Sequence, residues 1–202
     1  FPILTMDKKF RKILKPTNNW FVEFDYNAAE VRVLLGLLGK EQPHIDLHDY
    51  NAYELFDGTI TRDEAKKKLF SWLYNPNATD KTLSKLYDRE AVKDLFWDGK
   101  TVKTMYHREI PSDEYHAINY IIQSTCSDLI MDRAIALGEM LKNKKSKIAF
   151  IIHDSIVIDY SDEDADFINM LYWEFTSTPF GRFKSNVAGG RNFGDMKDLW
   201  IY

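Results

Sequence analysis

With 202 residues, 45% of them hydrophobic, the chain can bury a sizeable core and reads as one domain or a domain with a subdomain. Its net charge of −4 excludes a general attraction to polyanions, so any nucleic-acid surface must be a local basic patch. The single Cys126 excludes an internal disulfide and suits a reducing compartment, and no apolar run reaches the ~18 residues of a membrane span, so no membrane partner is expected. The chain opens on Phe1 and carries no signal peptide, which is what a piece of a longer protein would show.

In chain order, WFVEFD (20–25) is a short aromatic and apolar run, predicted as a buried strand that ends on Asp25. AAEVRVLLGLLG (28–39) follows with helix formers and Gly39 as a stop. Thr61 and Glu64 form a T-x-x-E capping box that opens a helix over RDEAKKKLFSWLY (62–74), and Pro76 closes it. The polar segment 75–111 holds a turn at Asp98 and Gly99. Ser112 is placed as the cap of a long helix reaching about Lys142, whose residues Ile118, Ile121, Ile122, Thr125, Leu129, Ala134, Leu137 and Leu141 keep helical spacing. IIHDSIVID (151–159) reads as a hairpin with Asp154 at its tip, and Ser161 caps a further helix. A Gly-rich basic stretch, SNVAGGRNFGDM (185–196), follows. Strands and helices without βαβ alternation give an α+β fold.

Taken singly, Asp154 in a tight turn and Asp25 at a strand end have local roles as turn and cap residues. Side by side they repel unless a cation lies between them, which points to a divalent metal with oxygen ligands and to phosphoryl transfer. Arg62, Lys66, Phe70 and Tyr74 recur every four residues along one helix face. Two cations near the helix N-terminus attract phosphate, and Phe70 offers a ring for a base. The same spacing also describes a solvated basic face, since Lys67 and Lys68 lie beside it.

In combination these segments resemble the family A DNA polymerases, the bacterial DNA polymerase I and phage polymerase group. FDYNAAEVRVL is similar to their motif A, R-x3-K-x3-F-x3-Y to motif B and the hairpin HD to motif C. DLH (46–48), AINYIIQST (117–125) and the GRNFG-type ending agree, so the resemblance spans nearly the whole chain.

The resemblance implies a polymerase palm, an antiparallel sheet with helices on one side, in two parts (1–50 and 112–202), with an abbreviated helical fingers subdomain (51–111) and no thumb. It implies Asp25, Asp154 and the Tyr26 carbonyl as ligands of two Mg2+ ions, Mn2+ being the other candidate. Arg62, Lys66 and His48 would hold a dNTP triphosphate, Lys66 with a catalytic role, while Phe70 and Tyr74 flank the new base pair and Glu30 excludes a ribose 2′-OH. Asn119, Gln123 and His153 would contact primer-template DNA near the primer end. Expected partners are dNTPs, primer-template DNA and an N-terminal portion carrying a thumb and any exonuclease domain. The expected setting is the cytoplasm of a bacterium or phage-infected host, with an organelle as the other setting. A non-catalytic DNA-binding fragment and a single-subunit RNA polymerase are the alternative readings.

Three departures from the family pattern stand out. Ser155 replaces the acidic residue that often follows motif C, Asn75 replaces the Gly after the motif B Tyr, and Tyr115 stands where an Arg is common.

Overall fold

The computed structural model describes residues 3–200, so the outer limits expected at residues 1 and 202 lie outside the described residues. The architecture is α+β, with an antiparallel sheet and helices, as expected. The chain forms two compact units, one built on the sheet from residues up to Asn27, Leu129–Thr178 and from Ser185 onward, the other helical, Ala28–Asp128 with Pro179–Lys184.

Elements of the sheet unit are β1 (Trp20–Tyr26), β4 (Lys147–Ile152), β5 (Ser155–Tyr160), α7 (Ile168–Thr176), the two-residue strand β6 (Ser177–Thr178), β8 (Ser185–Gly190) and β9 (Lys197–Asp198). The helical unit holds α1 (Ala29–Leu37), α2 (Leu47–Tyr50), α3 (Arg62–Tyr74), α4 (Lys81–Tyr87), α5 (Arg89–Phe96), the hairpin strands β2 (Thr101–Lys103) and β3 (Glu109–Pro111), and the two-residue strand β7 (Gly181–Arg182). One helix, α6 (Glu114–Leu141), contributes residues through Asp128 to the helical unit and from Leu129 to the sheet unit.

Among the described residues the main sheet has the order β4-β5-β1-β8-β9, antiparallel throughout, with β1 at its centre. A strand's side chains alternate between faces. On one face Phe24 and Tyr26 meet α7, Tyr26 stacking on Phe175 at 4.1 Å between ring centroids. On the other, Phe21 packs with Ile152, Val157 and Phe193. Glu23 and Asp25 share that second face by strand parity, which sets two carboxylates beyond an aromatic cluster. Arg133 of α6 ties α7 down by donating to Glu174 at 2.9 Å and to the Ser177 carbonyl at 2.7 Å.

In the helical unit the core joins Val31, Leu34 and Leu35 of α1 to Leu69, Trp72 and Leu73 of α3, Val92 of α5 and Ile118, Ile121 and Ile122 of α6. This shared packing is why residues 28–50 group with the helices that follow. The capping box forms, Thr61 N–H donating to Glu64 at 2.8 Å and Glu64 N–H to Thr61 Oγ1 at 3.3 Å. Such a cap contributes about 1 kcal/mol. The long helix starts one residue later than a cap at Ser112 implies. Asp113 accepts the His116 N–H at 2.9 Å and is the cap, because a carboxylate one residue nearer the first turn reaches its orphan donors, while Ser112 Oγ turns to the Asp113 carbonyl. All eight of its expected core residues are buried.

Candidate active site

The sheet unit carries the carboxylates. β4 and β5 form the expected hairpin, with His153 and Asp154 at its turn and His153 at φ 52°, a left-handed conformation that His tolerates better than most residues. In the β1–β5 register Asp25 lies opposite Ser155, and the Tyr26 N–H donates to the Asp154 carbonyl at 3.3 Å. The central strand thereby brings Asp25 beside Asp154, although 128 residues lie between them in the chain (153 − 25). Burial, the Asp154 charge and then the Glu23 charge push the Asp25 carboxyl up from 3.8 to about 7, against a hydrogen bond from Asn186. Ser185 Oγ donates to the Asp25 carbonyl at 2.8 Å and steadies this strand end.

Glu23 is the residue sequence reasoning missed here. It stands two positions before Asp25, and period-2 alternation alone assigns it to the same face. Ser155 Oγ donates to its Oε1 at 2.8 Å. The hydroxyl at the position expected to be acidic thus binds an acid on the neighbouring strand.

The helical unit carries the expected nucleotide-binding residues, and their contacts link most of them in series. Arg62 makes a two-pronged ion pair with Asp46, at 3.2 Å and 2.8 Å. Asp46 also accepts the N–H groups of His48 and Asp49, so one carboxylate caps α2 and aims Arg62. His48 is buried, its Nδ1 has no hydrogen-bond partner among the described residues, and its pKa is pushed down to about 4, chiefly by burial. At neutral pH it is a neutral imidazole, able to donate or accept a hydrogen bond and carrying no charge for a phosphate. Its ring lies 5.9 Å from that of Phe70, and Phe70 stacks on Tyr74 at 6.1 Å. Lys66 is exposed and makes no ion pair among the described residues. Lys68, by contrast, pairs with Asp80 at 3.3 Å and lies over the Phe56 ring at 4.2 Å.

The series ends in a short hydrogen bond, Tyr74 Oη donating to Glu30 Oε2 at 2.5 Å. Burial and the Glu30 charge raise the Tyr74 pKa well above its usual range, so the phenol keeps its proton and remains a donor. Gln123 of α6 also bonds Tyr74, which joins α1, α3 and α6 at one point. Asn119, one turn earlier on α6, has a buried Oδ1 with no hydrogen-bond partner among the described residues. Among the described residues no three His, Cys, Asp or Glu side chains gather into a metal cage.

No protein-family model matches the chain, and no curated protein does. Among solved structures it is similar to the POL domain of Pol1 from M. smegmatis, determined in complex with DNA primer-template and dNTP, at a TM-score of 0.75 and 15% identity. The match covers 97% of this chain and 45% of that one, so the chain spans less than half of its neighbour's length. The fold of this chain is therefore similar to part of a polymerase domain.

Proposed function

We propose that this chain is the palm and fingers portion of a family A DNA polymerase, adding deoxynucleotides to a DNA primer under template direction. The observation that carries the reading is the juxtaposition of Asp25, near the end of the central strand β1, with Asp154 at the β4–β5 turn, in a fold similar to a polymerase domain. In this reading residues 1–50 and 112–202 form the palm and 51–111 a short fingers subdomain. Lys66 and Arg62 bind the triphosphate, with neutral His48 as a hydrogen-bonding partner, and Phe70 and Tyr74 present rings to the nascent base pair. Asn119, Gln123 and His153 contact the duplex near the primer end.

A carboxyl held near neutrality by burial and like charge fits a bound cation, which removes that repulsion. Two carboxylates and the Tyr26 carbonyl, with no third acidic ligand gathered among the described residues, suit Mg2+, which keeps waters and shares its sites with substrate phosphates. When bound, two such ions supply Lewis-acid stabilisation of the attacking and leaving oxygens. The rest of the work falls to the protein: Asp25 and Asp154 present neighbouring carboxylates to the ions, and Lys66 offers charge-assisted hydrogen bonds to phosphate oxygens as negative charge builds on them. The test is primer extension in Mg2+ by this chain, alone and joined to any upstream segment its source encodes. Template-dependent extension supports the reading, whereas DNA binding with no extension by either form would leave a non-catalytic fragment.

Glu30, fixed by Tyr74, is assigned to exclusion of the 2′-OH. Glu30→Ala is expected to raise ribonucleotide incorporation relative to deoxyribonucleotide on the order of a hundredfold, because steric rejection is lost where binding contacts are kept. Competition between the two nucleotides at one template position measures it. An unchanged ratio would move the gate elsewhere and favour the RNA polymerase reading.

A further inference from the structure

Helix α3 ends at Tyr74 without the glycine that commonly closes a helix: Asn75 follows in extended conformation, φ −103° and ψ 106°, and Pro76 has no N–H to give. The last carbonyls of a helix lack intrahelical partners and need donors from elsewhere. Here a single side chain supplies donors to two of them, Trp72 and Leu73, and to three carbonyls of the segment that follows. Arg89 Nη1 donates to the carbonyls of Trp72, Leu73 at 3.4 Å and Asn75 at 2.9 Å, and Nη2 to those of Pro76 at 3.1 Å and Ala78 at 2.8 Å. The guanidinium lies 4.7 Å over the Trp72 ring, and Arg89 is 6% exposed.

Arg89 is the first residue of α5, where the helix dipole disfavours a cation; within that helix only its Nε pairs, with Glu90 at 3.2 Å, while both Nη groups turn to the end of α3. At the C-terminus of α3 the same charge is favoured, and the planar fork reaches carbonyls spread over seven residues (72–78). Tyr74 sits inside this clamped segment, and its hydroxyl holds Glu30 at 2.5 Å.

We propose that Arg89 is a positioning residue for sugar discrimination: by clamping the carbonyl end of α3 it sets Tyr74, and through Tyr74 the carboxylate of Glu30. This rests on the polymerase reading for the role of Glu30, while the mechanical link from Arg89 to Tyr74 does not. Lysine keeps the charge but presents one ammonium in place of a two-pronged fork, so Arg89→Lys weakens the clamp with the least disturbance to folding.

The experiment compares wild type, Arg89→Lys, Arg89→Ala and Leu137→Ala, the last a core truncation in the sheet unit that lowers stability away from α3. Two readouts are taken: the ribonucleotide-to-deoxyribonucleotide incorporation ratio, and the 19F resonance of 3-fluorotyrosine at position 74 without nucleotide. Arg89→Lys is expected to raise the ratio on the order of tenfold and to shift the resonance toward that of Glu30→Ala, with Leu137→Ala matching wild type in both. If Arg89→Ala does not fold, Arg89→Lys decides. An unchanged ratio in the folded Arg89 variants, or an equal rise in Leu137→Ala, would overturn the proposal. Should wild type extend no primer, either alone or joined to its upstream segment, the polymerase reading and the sugar role fall together, and the fluorine shift alone then shows whether Arg89 sets Tyr74.

Discussion

Asp154→Asn and Asp25→Asn are each expected to lower nucleotide addition by at least about a thousandfold, or ~4 kcal/mol of transition-state stabilisation, with the fold intact. Asn keeps the shape of the side chain and loses the charge that a divalent cation needs. The turn itself does not depend on that charge, since the backbone bond from Tyr26 N–H to the Asp154 carbonyl is untouched by the substitution. Single-turnover extension in Mg2+, with circular dichroism as the folding control, measures the effect. Normal extension by either variant would dismiss the paired-carboxylate site.

The same pair makes a stability prediction with a defined sign. The Asp25 pKa rises from 3.8 to about 7, so between these values the folded chain holds a proton that the unfolded chain releases. The folded state then binds more protons, and without divalent cations stability falls as pH climbs through this window. The full displacement is equivalent to about 4 kcal/mol, which solvent screening of a half-buried carboxyl reduces to about 1–2 kcal/mol. Asp25→Asn in EDTA should therefore be more stable than wild type at pH 8 and level with it at pH 4, by urea titration at each pH. Adding Mg2+ should stabilise wild type by mass action and leave the variant nearly unmoved.

How much of this was legible in the sequence depended on how local the cause was. The capping box at Thr61, the hairpin at Asp154 and the buried stripe of α6 follow from spacing within a few residues, and each forms. The sheet order does not: β1 pairs with β8 about 160 residues away, and no local pattern encodes that register. Glu23 was legible through strand parity yet carried no motif to draw attention to it. The burial of His48 and the clamp at Arg89 depend on which side chains and carbonyls fold around them. A sequence shows only a histidine and an arginine there.

The second large effect separates a triphosphate site from a solvated basic face. Lys66 and Lys67 are adjacent and exposed, and lie about 100° apart around α3. A general loss of attraction to DNA would weaken both variants alike at fixed salt. A specific phosphate contact made at Lys66 would be lost only there, through missing electrostatic stabilisation of about 3 kcal/mol, or roughly a hundredfold in rate. Lys67 is the suitable control, because Lys68 pairs with Asp80 and covers Phe56, and its removal would disturb packing as well as charge. Arg62 is a poorer probe for a related reason: its loss strands the Asp46 carboxylate that also caps α2. Single-turnover dNTP incorporation by Lys66→Ala and Lys67→Ala, repeated at two salt concentrations, gives the comparison. A hundredfold loss confined to Lys66 at both salts places the triphosphate on the face shared by Arg62, Lys66 and Phe70. Equal losses that shrink together as salt rises would reduce the stripe to a basic patch.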